Sequence, residues 1–231
     1  MSAQNSTIYV INPNSSTVVT AGIDAAMEPL RPCGLRIECV TLEGTPKGIQ
    51  TQRDVDSIDG PLLNRAAQLE DSACGFVVAC FSDPGMFALR EQSRHPVLGI
   101  AECGMLTAMS LGQRIGVISI LSTSIPRHMR LFGAMGIMDR IAADRAIGMG
   151  VADLADDARA VALMSETGRM LRDEDGADVL VMGCAGMARF RAAVEQAVGI
   201  PVVEPTQAAV GMMIGRVSLG WAGKTDAKAA R

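Results

Sequence analysis

The chain has 231 residues, 48% hydrophobic and only 3% aromatic, with a formal net charge of −4. That is enough apolar chain to bury one large core or two small ones, while the acidic balance, the lack of a basic run and the scarcity of aromatic rings exclude a nucleic-acid footprint. No apolar stretch approaches the roughly 18 residues a membrane span needs, and MSAQNSTIYV carries neither a basic n-region nor a signal-type apolar core, so a cytoplasmic chain is expected.

Ser6 to Ile11 reads as the first strand, running into the polar loop Asn12-Pro13-Asn14-Ser15-Ser16. This loop is rich in side chains that cap helices, and a helix is expected from Thr17 to Pro29. Gly34 to Leu42 is the second strand. Glu43 to Asp54, with its Gly, Pro, Thr and Gln, reads as a polar loop able to cover a site. A helix over 56–71 leads to an apolar run, GFVVAC, that ends at Cys80. A continuous apolar run marks a strand buried on both faces, as in a parallel sheet. Asp83 and Pro84 then suit the start of a helix immediately after Cys80, whose positive end would favour the thiolate.

The fourth strand is Pro96 to Ile100, followed by a helix over 103–111. Arg114 to Ile120 is a fifth strand, again entering a hydroxyl-rich loop, Ser122-Thr123-Ser124. A helix over 126–135, a strand within 137–147 and a long amphipathic helix over 153–175 come next. A second apolar run, DVLVMGC, ends at Cys184, with a helix from Gly186 onward. Ile200 to Val203 is the eighth strand and Pro205 to Leu219 the last helix, before a charged, frayed tail over 223–231.

The order repeats. STIYVI with its polar loop matches RIGVIS with its own, and the spacing from Ile8 to Cys80 nearly equals that from Ile115 to Cys184. HPVLGIAECGMLTAMSLG likewise resembles IPVVEPTQAAVGMMIGRVSLG. The expected fold is therefore α/β, with two pseudo-twofold-related lobes, each a four-stranded parallel sheet flanked by helices. The N-terminal lobe comprises residues 1–101 and 206–231, and the C-terminal lobe 102–205. Open α/β sheets place ligands at the carboxyl ends of their strands. Two such sheets, face to face, set Cys80 and Cys184 on opposite sides of one interlobe cleft.

The remaining cysteines, Cys33, Cys39, Cys74 and Cys103, read as plain buried thiols. No CxxC pair occurs, and His95 and His128, read as surface side chains, add no metal spacing, so neither a structural zinc nor a disulfide framework is expected. The methionines read as core filler, and Asp83 as a helix cap rather than a catalytic acid.

Two facing thiols suit racemisation. Two acid/base groups about 7 Å apart across a planar carbanion remove a proton from one face and return one to the other. A thiol suits this because its ordinary pKa, near 8.5, lies close to working pH. No pyridoxal phosphate, flavin or nucleotide signature is present, so the carbon must be acidic by itself, as between a carbonyl and a ring nitrogen in a hydantoin. Backbone N–H groups at Phe81-Ser82 and Ala185-Gly186, with the Ser82 hydroxyl, are assigned to the developing enolate. Asn14 and Ser119, at the ends of strands one and five, are assigned to the ring amides, with Pro13 beside them.

INPNSS (11–16), ACFSDPG (79–85), MDRIAADRAI (138–147), GCAGM (183–187) and IPVVEP (200–205) resemble the aspartate/glutamate/hydantoin racemase superfamily, nearest its hydantoin and allantoin racemase branch. These motifs run in order along nearly the whole chain. The resemblance implies two α/β lobes, an active site between them, cofactor-independent racemisation, a small cyclic ureide as substrate and a homo-oligomer. It places Cys80 and Cys184 on the two catalytic cysteines. Ser82 stands where many relatives carry glycine, and Ser119-Ile120 where two threonines are common. Both departures touch the expected pocket and bear on the substrate more than on the reaction. Other activities of the superfamily remain alternatives: amino-acid racemase, arylmalonate-type decarboxylase, maleate-type isomerase. A carboxylate substrate would need a cationic clamp, and no arginine is assigned to the strand mouths. A non-catalytic ligand-binding α/β protein is the alternative of a different class.

Overall fold

The computed structural model describes residues 7–221. Ser6, assigned to the first strand, and the tail 223–231 lie outside the described residues. Two four-stranded, all-parallel sheets form the framework. The first contains β1 (Thr7–Asn12), β2 (Arg36–Thr41), β3 (Ala73–Val78) and β4 (Val97–Gly99), in the order β2-β1-β3-β4. The second contains β5 (Ile115–Ser119), β6 (Ile141–Ala146), β7 (Val179–Met182) and β8 (Val202–Val203), in the order β6-β5-β7-β8. The second half of the chain thus repeats the strand order of the first, as the internal repeat predicts.

The helices are α1 (Thr17–Ala26), α2 (Gln52–Asp56), α3 (Asp59–Leu69), α4 (Met86–Gln92), α5 (Ile100–Leu111), α6 (Ile125–Ala134), α7 (Asp157–Asp173), α8 (Arg191–Val198) and α9 (Pro205–Ser218). Among the described residues no helix is long and apolar enough to cross a membrane.

Every residue of β1, β3, β5 and β7 is buried, which is why these strands read as unbroken apolar runs. Side chains alternate across each sheet, so one strand serves two cores. Tyr9, Ile11, Phe76 and Val78 pack outward with Leu62, Met86 and Leu89 of α3 and α4. Ile118, Leu180 and Met182 pack outward with Met164, Leu171 and Val194 of α7 and α8. The inward faces share a third cluster: Ile8, Val10 and Val77 join Val117, Val179 and Val181 through Met105 of α5, Phe132 of α6 and Val210 and Met213 of α9. One continuous apolar layer therefore fixes the two sheets against each other. Gly183 keeps the end of β7 close to β5, because a Cβ there would sit 2.8 Å from the Ile118 carbonyl oxygen.

Between Cys80 and α4 the structure departs from the sequence reading. The amides of Ser82 and Asp83 both donate to the Cys80 carbonyl, at 2.8 and 3.0 Å, closing a tight turn. Asp83 adopts a left-handed φ of 45°, and α4 begins only at Met86, capped by Gly85. The helix expected directly after Cys80 is absent because the Asp83 carboxylate caps a different helix. It accepts from the amides of Ala101 and Glu102, both at 2.9 Å, at the start of α5. Gly99, the residue before α5, makes room, since a Cβ there would fall within that carboxylate. In the second half the same task falls to Glu204, which caps α9 itself by accepting from the amides of Thr206 (3.0 Å) and Gln207 (2.6 Å).

Burial pushes the Asp83 carboxyl up to about 7 against the pull of its two amides, and pushes Glu204 up as well. Asp83→Ala leaves two amides at the head of α5 without their acceptor, and should cost about 2–4 kcal/mol of unfolding free energy. Urea denaturation at neutral pH checks this; a loss below about 0.5 kcal/mol would show that this carboxylate contributes little to the fold.

Candidate active site

Cys80 follows β3 at the carboxyl end of the first sheet, and Cys184 follows β7 at the carboxyl end of the second. Both thiols line one narrow cavity of about 30 Å³. Asn14, Phe81, Ser82, Ala185 and Gly186 line it too, as assigned from sequence, together with Val19, Ile49, Ile120 and Val151.

Asn14 is positioned by its neighbour. The Asn12 Nδ2 group donates to Asn14 Oδ1 (3.1 Å), to the Ser16 carbonyl (3.2 Å) and to Thr20 Oγ1 (3.0 Å), which ties the loop onto α1. The Asn14 Nδ2 group takes no part in this network. Ser16 caps α1, its Oγ accepting from the Val19 amide at 3.3 Å. Pro13 is buried in the same loop but does not line the cavity.

Ser119 does not line the cavity either. Its hydroxyl is turned away, donating to Asp144 Oδ1 at 2.5 Å and lying 3.2 Å from His128 Nδ1. Ile120 lines the cavity in its place. His128, expected on the surface, is buried, with Nδ1 2.8 Å from Asp144 Oδ2. A carboxylate only accepts, so this bond puts the proton on Nδ1. The His128 ring forms part of the cavity wall and meets Phe81 edge-on, with centroids 5.1 Å apart. His95 is half-buried, its Nε2 3.0 Å from the Glu70 carbonyl oxygen. Cys74 and Cys103 are buried as read, whereas Cys39 is half-buried and Cys33 is exposed.

Arg127 was not legible as a site residue. It is buried, lines the cavity, and occupies the first turn of α6 at the mouth of the second sheet. Ser124, Arg127 and His128 recur at i, i+3 and i+4, and Phe132 extends the same buried face. A basic pair on the apolar stripe of a helix is the signal that marks them.

The polar loop expected over 43–54 ends at Thr51, where the capping box of α2 begins, and it reaches the cavity at Ile49. The Gln50 carbonyl accepts from Thr123 Oγ1 at 3.3 Å and from Arg127 at 3.2 Å, which ties the loop to the second half of the chain. Its neighbour α2 is held by Arg130, which donates to Gln52 Oε1 at 2.5 Å.

The thiols do not sit in the environment the sequence suggested. Burial pushes Cys80 up to about 12; the Cys184 and Asp83 charges add to the shift, while Arg127 and the Ser82 amide oppose it. Burial likewise pushes Cys184 up to about 11, opposed by the Gly186 amide and reinforced by the Glu204 charge. The Gly186 amide donates to Cys184 Sγ at 3.4 Å, so here the chain does turn an N–H toward sulfur. Desolvation outweighs these donors at both sites, and both groups rest as neutral thiols. Among the described residues no three His, Cys, Asp or Glu side chains are grouped to hold a metal ion.

The family profile described as Asp/Glu/Hydantoin racemase matches residues 8–213. A hydantoin racemase of Pseudomonas sp. (strain NS671) is 33% identical over 215 residues, covering 92% of this chain and 86% of that protein. An allantoin racemase from Klebsiella pneumoniae superposes with a TM-score of 0.89 at 30% identity, over 96% of this chain and 92% of that one. An allantoin racemase from Pseudomonas fluorescens superposes with a TM-score of 0.88 at 26% identity, over 96% and 94%.

Alkylation of the ligand-free protein by iodoacetamide reads the state of the thiols directly. Because both pKa values are raised, the thiolate fraction grows about tenfold per pH unit until the pKa is reached. Labelling of Cys80 and Cys184, resolved from the exposed Cys33 by peptide mass spectrometry, should rise from pH 7 to 10 without levelling. A plateau near pH 8.5 would show thiols of ordinary acidity.

Proposed function

The chain belongs to the Asp/Glu/hydantoin racemase family, and from that premise we propose that it racemises a cyclic ureide, a 5-substituted hydantoin or allantoin, by passing a proton between Cys80 and Cys184. The observation that carries this reading is the convergence of the two thiols on one small cavity, from the ends of β3 and β7 in the two sheets.

One cysteine, as thiolate, takes the proton from C5 of the ring. The other, as thiol, delivers its own proton to the opposite face. The product is the mirror image, and the thiolate has changed sides. The opposite enantiomer runs the same steps from the other sulfur.

Burial raises both thiols, so little of either is ionised at neutral pH. Substrate binding therefore has to help create the thiolate as well as receive it. The substrate displaces water from a cavity in which fixed donors already point at developing charge. The Gly186 amide serves the Cys184 sulfur, and the Ser82 amide serves the Cys80 carbonyl, so neither is free for the enolate. The Phe81 and Ala185 amides and the Ser82 hydroxyl remain for the enolate oxygen, and Asn14 for a ring amide. A hydantoin C5 is acidified by its own carbonyl and ring nitrogen, so these steps require no external electron sink.

Cys80→Ser and Cys184→Ser should each lower racemisation of a single hydantoin enantiomer by about a hundredfold or more, followed by optical rotation, with unfolding midpoints close to that of the parent chain. Near-normal turnover in either variant removes that residue from the mechanism. Racemisation in heavy water should place deuterium at C5, and product that keeps its original hydrogen would contradict exchangeable thiols as the carriers.

A further inference from the structure

The cavity has an electrostatic character that two thiols do not require. Among the described residues no aspartate or glutamate lines it. The carboxylate nearest its His128 wall, Asp144, is wholly buried and spent on Ser119 and His128. One corner is the first turn of α6, which has no side-chain cap and carries Ser124, Arg127 and His128 on its cavity side.

Arg127 is 8% exposed. Its guanidinium donates to the Thr123 carbonyl (2.9 Å), the Gln50 carbonyl (3.2 Å) and Ser124 Oγ (3.2 Å). All three acceptors are neutral, and Arg127 makes no ion pair among the described residues. Its Nε is buried without a partner. A buried cation ordinarily keeps a carboxylate at contact, because losing water without gaining a counter-charge is costly. Two peptide carbonyls and a hydroxyl fix the plane of this guanidinium without a carboxylate at contact; the Asp54 charge attracts it from beyond ion-pair distance, and Arg130 opposes that attraction. The positive end of α6 adds to the guanidinium's charge.

We propose that this corner is an anion subsite, and that the substrate is a cyclic ureide whose C5 substituent ends in a carboxylate. The proposal rests on the racemase reading, which sets C5 between the sulfurs and directs the substituent along the cavity wall. The carboxylate accepts from Arg127, and the first turn of α6 supplies the remaining positive field. Ser124 helps to hold the guanidinium, and His128 shapes the wall. Arg127 is thereby a specificity-determining residue rather than one that moves the proton.

Two hydantoins of nearly equal size decide it, one with a 5-(2-carboxyethyl) and one with a 5-(2-carbamoylethyl) substituent. Binding to the full chain is measured by calorimetry and racemisation by optical rotation, for the parent chain, Arg127→Met and Arg127→Lys. The parent chain should bind the carboxylate at least about tenfold more tightly than the amide. Arg127→Met should shrink that ratio to within about twofold, and Arg127→Lys should restore part of it. Equal binding of the two compounds by the parent chain overturns the subsite, as does a ratio that survives Arg127→Met. The parent-chain ratio decides the matter even if a variant fails to fold. Racemisation of both compounds without charge preference overturns the subsite and leaves the racemase reading intact. Arg127-dependent preference without turnover of either compound supports the subsite and removes the racemase reading. An anionic ring imide acting alone gives no preference between the substituents and counts against the proposal.

Discussion

The site depends on the apolar layer shared by the inward faces of the two sheets. Ile8, Val10 and Val77 on one side and Val117, Val179 and Val181 on the other are locked together by Met105, Phe132, Val210 and Met213. Each sheet delivers a cysteine to its carboxyl edge by strand geometry alone. Only the common layer determines that the two edges meet over one cavity. Helix α9 matters here: the last helix of the chain contributes Ala209, Val210, Met213 and Val217 to the layer between the sheets, and so ties the two repeats into one body.

Desolvation gives the cavity its chemical character. It raises both thiol pKa values and places the Arg127 guanidinium on the wall in a partly desolvated setting. The loop held by its Gln50 carbonyl contributes Ile49 to the wall beside these half-buried thiols. The same guanidinium anchors that loop and presents the charge, so loop position and cavity electrostatics are not independent variables.

Much of this was legible in the sequence, for physical reasons. Strands buried on both faces must be apolar without interruption, and such runs located β1, β3, β5 and β7 and, at the ends of two of them, the cysteines. Near-equal spacing of matching motifs indicated two similar units, and the sheets share one strand order. Features set by partners distant along the chain were not legible. Asp83 serves amides 18 and 19 positions ahead, so the helix expected after Cys80 gives way to a turn. His128 reads as a surface residue until Asp144 is brought to its ring, and Arg127 until Gln50, 77 positions away, accepts from it. Ser119 was placed in the pocket by position, yet the Asp144–His128 pair draws its hydroxyl to the other side.

The two halves match in backbone and differ in charge. One thiol has Arg127 and Asp83 in its surroundings, the other Glu204. Mirror-image substrates have the same free energy in water, so at equilibrium the two directions of a racemase must share one value of kcat/KM, whatever its wall contains. Unequal surroundings are therefore free to appear only in how that quotient divides. On the racemase reading, one enantiomer would be held longer and turned over more slowly, and the other held more briefly and converted faster, in compensating proportion. On that reading, a near-symmetric fold with asymmetric electrostatics would set the occupancy of the two Michaelis complexes and leave the racemic end point untouched.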